Sequence, residues 1–287
     1  MRPPNRPKRR SDEQPQIVSE QRRQQLAGSF ADQQSAAEAA VYDAVRPQYP
    51  DQAVGETLAL ARSRQVGGDS HEQPPSVVEF GAGTGIFTRQ LLAAGAHVHA
   101  VEPSAPMLEL LLARSRGVLE RGSTLQGHCA SYESTGLRDG CADMVVAAQA
   151  WHWFDPAAAQ AEAVRLLKPR GVLALIWNYL DTADPTVHRL TRIMRAGDVY
   201  RPGWKPRLDS ALFDQACRVE YRWSRTLTVT EIFRYATTLS SWLSAGSAER
   251  DKRRSNLEDF LLHESGLGPE DPVVLPQITV LHTARRR

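Results

Sequence analysis

The sequence predicts a doubly wound α/β fold built on a mostly parallel sheet. Three observations carry that expectation. After Pro75, short apolar runs alternate with helical stretches of about 10–15 residues, the spacing of βαβ units. The first run, Val77–Phe80, passes directly into Gly81-Ala82-Gly83-Thr84-Gly85 and then a helical pattern. Such a junction lets backbone approach a ligand closely, because no Cβ intervenes. Finally, the chain has 287 residues, 41% hydrophobic and 24% charged, as expected of a globular protein with a sizeable core.

The elements follow in order. Residues 1–34 are polar and rich in Arg, Gln and Pro, and read as a disordered basic leader. From Ser35 the pattern is helical until Arg46-Pro47-Gln48-Tyr49-Pro50 breaks it; a second helix is expected from Asp51, as N-cap, to about Arg64. Gly67–Ser70 and Pro74-Pro75 mark a loop. Strands are expected at Val77–Phe80, His97–Val101, around Leu125, Ala142–Ala148 and Gly171–Trp177. Helices are expected at Gly85–Ala94, at Pro106–Ser115 with Ser104 as cap, and at Pro156–Leu167. Right-handed crossovers place such helices on both faces of the sheet. Beyond residue 177 the pattern loosens. A helix is expected near Val187–Arg195, a strand over Arg218–Val229, helices over Thr230–Leu243 and Glu249–His263, and a closing strand over Gln277–Ala284. The chain therefore divides into the leader 1–34, a core 35–177 and a cap with closing strands, 178–287.

The totals exclude several classes. Net charge is +2, yet residues 1–25 hold seven Lys/Arg against three acids, so the remaining body is slightly acidic. That argues against a dedicated nucleic-acid binder. Three cysteines without a C-x-x-C form neither a disulfide framework nor a zinc site. No apolar stretch follows the basic N-terminus, and the longest apolar run, Val172–Trp177, is far short of a membrane span. The expectation is a soluble, cytoplasmic protein. His97 and His99 share one face of a strand, but no third metal ligand is evident.

The glycine turn can serve two ligand classes. A dinucleotide fingerprint, G-x-G-x-x-G, would need glycine where Ile86 stands. Glu79, two residues before Gly81, gains nothing from a pyrophosphate. It complements the ammonium and sulfonium of S-adenosylmethionine instead. Glu102 ends the next strand, 21 residues after Gly81, where a carboxylate can accept both ribose hydroxyls or stand solvated.

With these residues in view, the segment Glu79–Tyr179 resembles the type 11 core of class I S-adenosylmethionine-dependent methyltransferases. The matching pieces are Glu79–Gly85, Val101–Ser104, Asp143–Val146, Ala148–Phe154 and Leu167–Gly171. The upstream Tyr42 and Arg46–Pro50 resemble the R-P-x-Y-P segment of the trans-aconitate methyltransferase-like group. The resemblance implies a Rossmann-like sheet of seven strands with the last antiparallel, plus a helical cap. It places Gly81, Gly83 and Gly85 against the methionyl end of the cofactor, Glu102 on the ribose, Ala130 against the adenine and Gln149 beside the methyl donor. Relatives often carry an acid where Ser131 stands, so an acidic contact to the adenine is lost here unless Tyr132 or Glu133 supplies it. Met107 either packs near the adenine or belongs to the core.

Methyl transfer needs alignment first and a base only for an acceptor that must lose a proton. His152, flanked by Trp151 and Trp153, is either that base or a buttress of the turn. Tyr42 and Tyr49 either close over the cofactor or pack in the core. Arg195, Tyr200, Arg201, Trp204 and Arg207 are candidates to line an acceptor pocket for a carboxylated or phenolic small molecule. No N-P-P-Y follows the fourth strand, and there is no G-x-S-x-G nucleophile turn. The reading is methyl transfer to a small organic acceptor. An RNA or protein methyltransferase using the basic leader, a NAD-dependent oxidoreductase and a non-catalytic cofactor-binding protein remain as alternatives. Oligomeric state is not encoded in any motif.

Overall fold

A computed structural model of the chain describes residues 35–63, 73–119, 122–197, 200 and 202–287. The expected leader, the glycine loop before the first strand (Gly67–Ser70) and Arg201 lie outside these residues.

Two helices precede the sheet. Helix α1 (Ala36–Val45) starts on a capping box, in which the Ser35 hydroxyl accepts from the Glu38 N–H and the Glu38 carboxylate accepts from the Ser35 N–H. Helix α2 (Asp51–Arg62) begins one residue earlier than expected: Pro50 holds the cap position without a side-chain bond, and Asp51 is the first helical residue. The proline ring pre-sets an extended entry, and the Asp51 carboxylate meets the positive helix end instead.

The alternating part reads β1 (Ser76–Phe80), α3 (Ile86–Ala93), β2 (His97–Val101), α4 (Ala105–Ser115), β3 (Thr124–His128), β4 (Ala142–Ala148), a 3-10 turn (Trp151–Trp153), α5 (Pro156–Leu166) and β5 (Leu167–Leu180). Then follow α6 (Pro185–Met194), β6 (Cys217–Thr228), α7 (Val229–Thr237), α8 (Ser240–Leu243), α9 (Ser247–Glu258), a π turn (Asp259–Glu264) and β7 (Pro272–Arg285). The strands form one seven-stranded sheet in the order β3-β2-β1-β4-β5-β7-β6. Strands β1 to β5 pair in parallel, and β7 runs antiparallel between β5 and β6.

Several boundaries differ from expectation for physical reasons. Strand β3, expected only around Leu125, runs on to His128 because Gly127 and His128 pair with Ala100 and Val101 of β2. Strand β5 extends to Leu180 because β7 supplies nine successive partners, from Arg285 on Val172 to Gln277 on Leu180. The helix expected over 230–243 breaks at Thr238-Leu239, where Leu239 is extended. Ser104 sits at the N-cap of α4, but its hydroxyl makes no capping bond.

The central strands β1 and β4 are covered on both faces and accordingly apolar. One face packs Val77, Val146, Ile176 and Leu281 against α2 and α3; the other packs Val78, Val145, Leu173 and Trp177 against α5. Two of the motif pieces are explained by packing. The buried Asp143 takes Lys168 Nζ at 3.0 Å and the Ser76 N–H at 2.9 Å, tying β4 to β5 and β1. The parallel strands β1 and β4 end together, so their following turns meet at one edge of the sheet, where open α/β folds bind ligands.

Candidate functional site

The turn after β1 leans on the end of β2: Gly81 N–H and Ala82 N–H both donate to Val101 O, at 2.9 and 3.1 Å. Gly83 and Gly85 both hold left-handed backbone, with φ of +58° and +83°. Their surroundings differ. A Cβ on Gly85 would lie 2.5 Å from Leu111 Cγ, whereas a Cβ on Gly83 would meet open space. At Gly81 a Cβ would lie 2.8 Å from Ala150 Cβ. Two of these glycines let protein segments approach, and Gly83 faces the cleft.

Two carboxylates stand beside the turn. Glu79 is buried within β1, and its Oε2 accepts from the Thr88 hydroxyl at 2.5 Å. Burial pushes its carboxyl up to about 8; Glu102 nearby adds to this, while the Thr88 bond and Arg89 oppose it. Glu102 follows β2, with Oε2 accepting from Gly83 N–H at 2.8 Å and Oε1 from Ser104 N–H at 2.9 Å. Burial raises its pKa, and the two backbone bonds counter it. Each oxygen thus accepts one bond and keeps a lone pair.

Gln149 lies just past β4 in left-handed backbone, φ +55°. A non-glycine residue there costs about 1–2 kcal/mol, the kind of strain that collects at functional positions. Its Nε2 donates to Asn178 O at 2.8 Å, and its buried Oε1 has no hydrogen-bond partner. A cleft runs between the glycine turn, Gln149 and the segment 42–49; Glu79, Gly81, Gly83, Gln149, Tyr42 and Tyr49 are among its walls.

The segment over the cleft is anchored by side chains that no short-range pattern marked. Arg89 of α3 bridges Asp43 of α1 at 2.7 Å and also bonds Thr84 O. Gln90 brackets Tyr49, accepting its N–H and donating to its carbonyl at 2.9 and 2.7 Å. The Tyr49 ring meets Phe87 edge-on at 4.8 Å. Tyr49 is therefore both core and cleft wall. Asn178 Nδ2 donates to Gln48 O, and Asn178 Oδ1 accepts from Thr279, whose hydroxyl in turn accepts from Trp223 Nε1.

The remaining candidates fall elsewhere. Ala130 is half-buried, with its N–H on His128 O. Tyr132 stacks on Phe154 at 4.0 Å and accepts the Asp155 N–H, so its phenol serves the turn before α5. Met107 is buried. His152 Nδ1 accepts from Trp177 Nε1 at 3.2 Å; because an indole N–H only donates, the neutral imidazole carries its proton on Nε2. Tyr200 and Trp204 lie against Tyr179 and Trp177, on β5, and Arg195 pairs with Glu249 at 3.2 Å. None of these three, nor the exposed Arg207, lines the cleft. The basic side chain that does is Arg46, from the R-P-Q-Y-P segment. His97 bonds Thr124 and His99 bonds His128; among the described residues no three His, Cys, Asp or Glu side chains gather as a metal site.

Comparison with known proteins identifies the family. A methyltransferase-domain model matches residues 78–175. An uncharacterized methyltransferase of Mycobacterium tuberculosis is 32% identical over 240 residues, covering 83% of this chain and 90% of the relative. The chain belongs to the class I S-adenosylmethionine-dependent methyltransferases. An uncharacterized methyltransferase-like protein of Schizosaccharomyces pombe is 27% identical over 225 residues, 76% of this methyltransferase and 82% of that chain. A solved structure from Anaeromyxobacter dehalogenans, named a type II methyltransferase, shares the fold at a TM-score of 0.54 and 23% identity, covering 84% of this chain and 97% of that one.

Proposed function

We propose that this methyltransferase transfers a methyl group to a small organic acceptor, through a carboxylate or hydroxyl oxygen, in the cleft under Tyr42 and Tyr49. The single observation carrying this reading is the convergence of Glu79 and the unpartnered Gln149 Oε1 on one cleft that is open at Gly83, whose N–H Glu102 holds from behind. The donor set fits S-adenosylmethionine. Glu79 and Gln149 Oε1 present acceptors to its cationic end, Glu102 retains lone pairs for the ribose hydroxyls, Gly81, Gly83 and Gly85 shape the turn around it, and Ala130 lines the adenine end. When bound, the cofactor supplies an electrophilic methyl carbon with a neutral thioether as leaving group. The protein's part is to align the acceptor and exclude water, the task of Tyr42, Tyr49 and Phe87 at the cleft wall.

A carboxylate acceptor is already ionised at neutral pH and needs no general base. That suits His152, whose Nδ1 lone pair is committed to Trp177. We read His152 as holding the turn after β4 and presenting an Nε2 N–H, rather than as the base. Residues 35–177 are read as the cofactor-binding core and 178–287 as the part that completes the acceptor side. The Arg46–Pro50 segment supports a place near the trans-aconitate methyltransferase-like group. Among the described residues no helix is long and apolar enough to cross a membrane, and a cytoplasmic location is the reading we carry forward.

Isothermal titration calorimetry with S-adenosylhomocysteine and, separately, NADH tests the cofactor site. Micromolar binding of the first alone is expected; NADH binding, or no binding of either, refutes the site as read.

A further inference from the structure

Strand β6 runs parallel to β1 and β4, so its last residues reach the same edge of the sheet as the cleft. In register on one face stand Asn178, Thr279 and Tyr221, then Leu180, Gln277 and Trp223, then Leu275 and Arg225. Arg225 is unusual in this company. Its Nη1 donates to Val45 O at 2.6 Å, but Nε and Nη2 are buried without a hydrogen-bond partner. Its guanidinium lies 4.8 Å from the centre of the Tyr235 ring, and the Arg46 guanidinium lies 5.5 Å from the same ring and 4.8 Å from Tyr42. Arg46 lines the cleft, so Arg225 sits directly behind that wall. One strand away, Gln277 Nε2 is also buried without a partner.

Three donors from two adjacent strands therefore lack an acceptor. Their side chains start about 7–8 Å apart, the diagonal spacing of paired strands, within reach of one shared group. A water molecule would satisfy a donor but leave the charge. Arg46 and Arg225 repel each other, and the carboxylate that attracts Arg225 is Glu231, which caps α7. A buried guanidinium without an ion pair is costly, and the missing partner is an anion with oxygen acceptors.

We propose that Arg225 and Gln277 form the oxyanion-binding end of the acceptor pocket, so that the methyl acceptor carries a negatively charged oxyanion group held on β6 and β7. This rests on the methyl-transfer reading of the adjoining cleft and adds the group that selects the acceptor.

The test uses small anions as probes on the full-length protein saturated with S-adenosylhomocysteine. Thermal denaturation is followed while acetate or inorganic phosphate is titrated, with chloride at matched ionic strength as control. A saturable rise in Tm beyond chloride is expected, with its midpoint at least about tenfold higher for Arg225→Met and for Gln277→Leu. Arg225→Lys, which keeps the charge and loses the planar fork, should fall between and covers the case in which the Met variant folds poorly. Response to acetate assigns a carboxylate group, and response to phosphate alone assigns a phosphoryl group at the same site. No saturable response in the wild-type protein, or an unchanged midpoint in Arg225→Met, overturns the proposal. Calorimetry with S-adenosylhomocysteine keeps the two readings separate: its binding should be unchanged in these variants. If the wild-type protein does not bind it, the methyl-transfer reading fails, while the anion response of the free protein is judged by itself.

Discussion

Replacing Gly83 and Gly85 by alanine in separate variants distinguishes a glycine that serves a ligand from one that serves the fold. Both residues have positive φ, so each alanine pays about 1–2 kcal/mol for left-handed backbone. At Gly83 nothing else is lost in the free protein, since the new Cβ meets open space. At Gly85 the Cβ lies 2.5 Å from Leu111 Cγ and 3.1 Å from Leu111 Cδ1, and Leu111 is fully buried, so α4 must shift. Overpacking of this kind costs about 1–3 kcal/mol more. Gly85→Ala should therefore be destabilised by about 2–5 kcal/mol and Gly83→Ala by about 1–2 kcal/mol in denaturant unfolding. The order reverses for cofactor affinity. The Gly83 methyl projects into the space read as the cofactor's, so Gly83→Ala should bind S-adenosylhomocysteine at least about tenfold more weakly by calorimetry, a loss of about 1.4 kcal/mol or more. Folded Gly85→Ala should stay near wild type. Wild-type affinity in Gly83→Ala, or equal destabilisation of the two variants, refutes the assignment of Gly83 to the cleft.

Three further outcomes follow from the same geometry. Burial raises the Glu79 carboxyl to about 8 from an ordinary 4.5. Its contribution to stability is thus complete below about pH 4.5, declines above it and is lost as pH climbs through about 8. A cation beside Glu79 favours the carboxylate, so S-adenosylmethionine binding at pH 7 should release up to about one proton, seen by calorimetry in buffers of different ionisation enthalpy and absent in Glu79→Gln. Binding without proton release would place the ligand's charge elsewhere. Glu102→Gln should weaken S-adenosylhomocysteine binding by about 1–3 kcal/mol, since the amide cannot accept at both ends; an unchanged Kd removes Glu102 from the site. For His152, long-range nitrogen–proton NMR spectra should show the neutral Nε2–H tautomer, shifting to a mixture in Trp177→Phe. A predominant Nδ1–H form in the wild-type protein would restore His152 as a base at Nε2.

What the sequence determined alone was local and periodic. Short apolar runs spaced by helical stretches named β1, β2 and β4 to within a residue, β1 and β4 because a strand buried on both faces is apolar on both, and β2 through the apolar alternation that flanks its two histidines. The strand–glycine–helix junction located the cleft, and the acids at 79 and 102 stood out because carboxylates at strand ends need a reason. The sheet's closing arrangement was read only through likeness to a family. No periodicity states that β7 inserts between β5 and β6, a pairing that extended β5 to Leu180 and set Gln277 and Arg225 on one face of adjacent strands. Tertiary structure also decided which basic residues come together. Arg195 and Arg207 were legible as basic loop residues and lie away from the cleft, while Arg46 and Arg225 are 179 positions apart and meet over one tyrosine ring. Such contacts depend on chain crossings between distant segments, and a one-dimensional pattern carries hydrophobic period and turn chemistry but not the spatial neighbour of a polar atom. The role of His152 shows the same division: its residue type suggested a base, and only the indole placed at its Nδ1 determined where its proton sits.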